Sequence, residues 1–245
     1  MPSTVETMTA RPRPDDQVER LFGDGWPAFI TADEMAKQYI GPVRERFPDL
    51  ELVLLDDQDV LVAAGWGVPV RWNGDPADLP TGYTDSLVRA LQGQGRGSDP
   101  DTLVVMAAQV HPERRGTGLA GELLTALRHL AEQRGWSRVV APVRPTLKAR
   151  YPLTPIDRFA SWTRADGAPL DPWLRTHWRL GATAVATAPR SQTMTGTVAE
   201  WERWTGLPLP ESGEYVIPDG LSTLRVDRDQ DRGTYVEPNV WMRHR

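Results

Sequence analysis

Two arginines and three glycines stand close together in Val110-His-Pro-Glu-Arg-Arg-Gly-Thr-Gly-Leu-Ala-Gly121. An apolar run, Thr102 to Val110, precedes this turn, and an amphipathic run, Leu119 to Arg134, follows it. A strand that enters a helix through such a turn leaves the first helical amides without intrahelical acceptors. Those amides point one way, and the helix dipole adds partial positive charge at the same end. The arrangement suits the holding of phosphate oxygens. Other glycine readings compete. Gly116-Thr-Gly118-Leu-Ala-Gly121 also matches a dinucleotide-binding fingerprint, but His111 to Arg115 separate the apolar run from Gly116, where the fingerprint wants its first glycine at the strand end. The acidic residue expected about 20 positions further on is missing from Trp136 to Val140. A P-loop needs Gly-Lys-Ser/Thr, which the chain lacks. A plain helix start with close-packing glycines and two solvated arginines needs no ligand at all.

The elements that must position this turn follow from periodicity and punctuation. The chain has 245 residues, 40% hydrophobic and 25% charged, which fits a globular protein with a substantial core. Its net charge of −5 argues against general affinity for nucleic acid or anionic membrane. No apolar run approaches the ~20 residues of a membrane span. The first ten residues lack the apolar segment of a secretory signal, so the cytoplasm is the expected compartment. With no cysteine, disulfides, thiolate metal sites and a cysteine nucleophile are excluded.

Residues 1–14 end in Arg-Pro-Arg-Pro and read as a disordered leader. Thr31-Ala-Asp-Glu resembles a helix cap, with apolar residues at helical spacing from Met35 to Val43. Leu50 to Leu55 and Val60 to Trp72 flank an Asp-rich turn and predict a hairpin. Residues 73–101 read as a long loop with a short helix at Thr84 to Leu91. Thr102 to Val110, the helix Leu119 to Arg134, its stop at Gly135 and Ser137 to Val143 form a βαβ unit. Beyond it come a loop to Pro155, a helix at Ile156 to Trp162 and a helix Trp173 to Leu180 capped by Asp171-Pro172. The series closes with a strand Ala182 to Ala188, a helix Thr197 to Thr205, and a hairpin of Leu221 to Val226 with Thr234 to Met242. The expected class is mixed α/β, with residues 15–245 forming one domain.

Arg115, Gly118 and Ala120 fit the Arg/Gln-x-x-Gly-x-Gly/Ala pattern, and on these residues the chain resembles the GNAT family of acyl-CoA-dependent N-acyltransferases. Residues from about 26 to 188 can be laid on that family's order of elements. The resemblance implies a central, mostly antiparallel twisted sheet with helices on both faces. Residues 73–101 and 144–170 then become insertions, and an extension begins near 189. The family's Tyr, three residues before Leu-Gly-Phe, is replaced by His177 in His177-Trp-Arg-Leu-Gly-Ala182. The C-terminal part, around Val143-Arg-Pro-Thr-Leu-Lys148 and Glu237-Pro-Asn-Val-Trp-Met242, resembles an actinobacterial branch of the family.

The resemblance implies acetyl-CoA or another acyl-CoA as cosubstrate, no metal, and a small-molecule amine as acceptor. A second copy of the chain and an acyl carrier protein are the other partners it admits. Backbone groups of Gln109 and Val110 would bond the pantetheine arm. Arg115, Gly116, Thr117, Gly118, Leu119 and Ala120 would take the pyrophosphate. A bulge in that strand would splay it from its neighbour and aim the thioester carbonyl at an amide. His177 would act as an imidazolium acid toward the thiolate or as a neutral base toward the amine. Tyr151 could replace it if the 144–170 insertion folded over the thioester. His111 is expected to shape the turn. Glu237 is either a base acting through water or a surface or Asn239-paired carboxylate. The competing readings are transfer from a carrier protein or to a hydroxyl, and an acyl-CoA sensor without turnover.

Overall fold

This computed structural model describes residues 3–14, 17–18, 21, 26–93 and 99–244. Residues 1–2 of the expected leader and 94–98 of the expected loop lie outside them. The apolar runs become strands β2 (Glu51–Leu55), β3 (Leu61–Val70), β4 (Thr102–Val110) and β5 (Arg138–Val143). All of β2 is buried, so its outer edge needs a cover. Thr4–Thr7 provides it as strand β1, antiparallel to β2 with Val5 opposite Leu54. The disordered leader expected for residues 1–14 is thereby corrected at Thr4–Thr7: a β-branched segment pairs with an edge that would otherwise be open. Ser3 extends the attachment by a hydroxyl bond to Glu122.

Four more strands follow: β6 (Thr183–Gly196), β7 (Gly213–Val216), β8 (Thr223–Asp227) and β9 (Arg232–His244). Among the described residues the sheet runs β1-β2-β3-β4-β5-β9-β8-β7, with β6 also on β9. Every pairing is antiparallel except β4 with β5, the pair joined by a helical crossover. Strand β9 holds the C-terminal half together. Along one edge it pairs with β6 from Gly233 to Arg243. The other edge is shared, Val240 to His244 with β5 and Arg232 to Tyr235 with β8. Residues 236–239 therefore face a break between β5 and β8.

Helices α1 (Glu34–Arg46) and α2 (Tyr83–Gly93) cover one face of the sheet, packing around Trp66, Val68, Trp72 and Trp241. The N-cap of α1 is Asp33, whose carboxylate accepts from the Ala36 amide at 2.9 Å. On the other face lies α3 (Leu119–Gln133), which buries Leu123, Leu124, Leu127 and Ala131 against β3, β4 and β5. Each buried leucine contributes about 2 kcal/mol, so this stripe docks the helix. Helix α4 (Ile156–Ala160) and helix α5 (Pro172–Arg179) complete that layer. Helix α6 (Val198–Thr205), begun by a Thr197/Glu200 capping box, packs Trp201 on Phe29 and Tyr235 in a separate cluster.

Candidate active site

Strands β4 and β5 pair only at Thr102 to Val104 with Arg138 to Val140, and then part. The cause is visible one strand away. Trp66 of β3 lies opposite Ala107, but Gly67 lies opposite Val105, so Met106 is an extra residue in β4. The bulge bends β4 and strengthens its local twist. It needs glycine in β3: a Cβ on Gly67 would sit 2.8 Å from the Val104 carbonyl, and one on Gly65 would sit 2.8 Å from that of Ala107. From Val105 onward the β5-facing edge of β4 has no partner strand among the described residues. Gln109 and Val110 lie on this free stretch, Gln109 buried and Val110 half-buried.

The gap leads to the glycine turn at the start of α3. Gly116 (φ 80°) and Gly118 (φ 95°) both adopt left-handed backbone, which glycine takes without strain. Gly118 is the N-cap and supplies no side-chain cap. Within the described residues the amides of Gly116, Thr117, Gly118, Leu119 and Ala120 find no acceptor, whereas that of Gly121 bonds the Gly118 carbonyl at 2.9 Å. The two arginines separate. Arg114 reaches Asp56 at 3.2 Å, and the exposed Arg115 side chain has no protein partner among the described residues. His111 shapes the turn, its amide bonded to the Val62 carbonyl and its own carbonyl to the Arg114 amide.

His177 lies on α5 with 1% of its surface exposed. Its Nδ1 is 2.9 Å from Nε2 of His244, and the edge of Trp173 packs on its ring. Burial first, and His244 second, push its pKa down to about 3. Burial, and then Arg128, push that of His244 down to about 4. Both imidazoles are neutral at neutral pH. This corrects the imidazolium donor expected at His177, because the desolvated ring does not hold the second proton. Its level in the sheet agrees. His244 lies opposite Val139, which pairs with Leu103, where β4 and β5 are still joined. Tyr151 packs in the insertion's own aromatic cluster, 5.0 Å from Trp162 and 6.1 Å from Phe159.

A second feature fills the break between β5 and β8. Glu237 is completely buried and ion-paired to Arg144, the residue directly after β5, and it accepts a hydrogen bond from the Tyr235 hydroxyl. The surface-carboxylate reading of Glu237 is thus corrected, as is its pairing with Asn239, whose amide donates to the Pro238 carbonyl. Lys148 is equally buried. Its ammonium donates to the carbonyls of Tyr151 (2.8 Å) and Leu221, and burial lowers its pKa to about 8 despite the opposing pull of Glu237. Above this floor lies a cavity of about 600 Å³, bounded by residues 152–157, the β6 bulge at Pro189 and Arg190, and the β7–β8 hairpin. Sequence reasoning missed Arg144, Lys148 and His244. Two basic residues in a loop after a strand read as solvated, and only the β9 register turns them inward.

No family model matches the chain. A curated relative, arginine N-acetyltransferase avaD of Aspergillus versicolor, is 31% identical over 98% of this chain and 93% of its own. The chain belongs to the GNAT family. Like the family, it is an acyl-CoA-dependent N-acyltransferase. The fold agrees with solved members. The loading GNATL domain of CurA from Lyngbya majuscula superposes with a TM-score of 0.64 at 16% identity, covering 100% of this chain and 98% of that one. The GphF GNAT-like decarboxylase, solved with isobutyryl-CoA, superposes at 0.56 with 20% identity and 98% of each chain covered. Among the described residues no cluster of His, Cys, Asp or Glu could hold a metal ion, and no helix is long and apolar enough to cross a membrane.

Proposed function

We propose that this GNAT enzyme transfers an acetyl or other short acyl group from CoA directly to the amine of a small molecule, within a ternary complex. The pantetheine arm lies in the β4–β5 gap along Gln109 and Val110, and the pyrophosphate lies on the turn from Arg115 to Ala120. The observation that carries this is the row of unpaired amides at the start of α3, joined to a gap whose free strand edge can bond an extended amide chain. The amine nitrogen attacks the thioester carbonyl, whose oxyanion is held by an amide of the bulged strand. The C–S bond then breaks. The proton given up by nitrogen equals the one taken by the departing sulfur, so the sum is amide plus CoA thiol. Direct attack is favoured because the chain has no cysteine to carry the acyl group.

The relative's acceptor makes arginine the first amine to test. Incubation with acetyl-CoA and L-arginine, followed by mass spectrometry, is expected to give N-acetylarginine and stoichiometric CoA thiol. If no amine in a broad panel is acylated while acetyl-CoA binds, transfer to small-molecule amines is wrong.

A further inference from the structure

The cavity over the β5–β8 break collects charges that the protein leaves unpaired. Asp157 of α4, Arg190 of the β6 bulge and Arg225 of β8 line it. None of these three side chains makes a hydrogen bond or ion pair among the described residues. Glu214 of β7, also on the wall, takes only the Thr223 hydroxyl. Some charges elsewhere are paired, as in Arg138 with Asp101 at 3.0 Å and Arg89 with Asp85 at 3.0 Å. Here two carboxylates and two guanidinium groups face one space without neutralising each other. The floor is firm, since Lys148 ties the 148–152 loop to Leu221, and Arg144 ties the end of β5 to Glu237 and to the Asp219 carbonyl. The same segment joins cavity and gap: Val143 ends β5 beside the gap, and Lys148 lies on the cavity floor.

We propose that this cavity is the acceptor site and that it takes an amino-acid-type amine carrying both a carboxylate and a basic side chain. Arg190 and Arg225 hold the carboxylate, and Asp157 with Glu214 holds the side-chain cation. A volume of about 600 Å³ lies within the range of small-molecule sites. Charges of both signs on the walls favour an ampholyte over a simple amine by complementarity. The assignment rests on the acyl-transfer reading above, and deepens it.

Calorimetric titration of the full chain with L-arginine, with CoA absent and saturating, tests it separately from turnover. Wild type is expected to bind, and Asp157→Asn and Arg190→Glu each to weaken L-arginine by about tenfold or more while acetyl-CoA affinity stays within about twofold. All the substituted side chains are exposed, and Arg225→Glu serves if either variant fails to fold. The proposal is overturned if wild type does not bind L-arginine, if the variants bind it as wild type does, or if acetyl-CoA affinity falls in parallel, which would give the cavity to the cofactor. Binding that the variants abolish, without acetylation of any amine, would support the cavity and sink the transfer reading.

Discussion

Arg115 carries the sharpest expectation about a single side chain. Its neighbour is committed to Asp56, so in the proposed complex Arg115 is the guanidinium left to meet the diphosphate. Reversal to glutamate sets a carboxylate beside the same amides and is expected to weaken CoA by about tenfold or more. Equilibrium dialysis with CoA checks this, with circular dichroism to confirm the fold; unchanged affinity in a folded variant would remove the turn from the site. The turn that carries this residue could be read from the sequence because a glycine turn between strand and helix imposes its own geometry. His177 could be placed on a helix by the same logic, but not oriented. Its burial depends on His244, 67 positions away, and no local pattern encodes that meeting.

Helix α5 is fixed to the sheet partly through this pair of imidazoles, and its attachment should weaken in acid. In the unfolded chain histidine titrates near 6.5, whereas in the fold these two resist protonation until about 3 and about 4. Below about pH 6.5 the unfolded state therefore binds protons that the folded state refuses, and stability falls as the pH drops toward 4. Above that window the imidazoles are neutral in both states and add no pH dependence. Between pH 7 and 5 the expected loss is roughly 2–4 kcal/mol, measured by urea denaturation, and His177→Leu should remove about half of the slope. A flat profile in wild type would show that the pair is solvated. Most elements were evident in the sequence, from the β2–β3 hairpin to the βαβ unit. The misses were β1, β7 and the far half of β6. Strands β1 and β7 are four residues each, and the 14-residue β6 is broken at Pro189-Arg190-Ser191, where it bulges against β9. Short or bulged strands are defined by the partner they meet, and their own alternation is too weak to announce them.

Across the molecule, the insertion after β5 and the C-terminal extension are joined by buried charge. Arg144→Met would leave the Glu237 carboxylate desolvated beside Tyr235 and is expected to cost roughly 3–5 kcal/mol. Glu237→Gln should cost less, since Arg144 retains some access to water. Adding Glu237→Gln to Arg144→Met should recover part of the loss. Thermal unfolding of the three variants measures this, and additive effects would deny the coupling. The insertion after β5 and the C-terminal extension were visible as lengths of irregular sequence, but the cavity they bound was not. It exists only because β9 gives one edge to two strands and leaves residues 236–239 between them.

The parting of β4 from β5 has a consequence beyond catalysis. Peptide groups in the middle of a sheet are left for a guest to satisfy, so in the proposed complex an acyl-CoA laid there would serve as scaffolding as well as reactant. Unfolding must first evict that guest, and the protein's survival against heat and proteases then rises with the abundance of its own donor. Scarcity of the donor would thin the enzyme's population as well as slow its turnover.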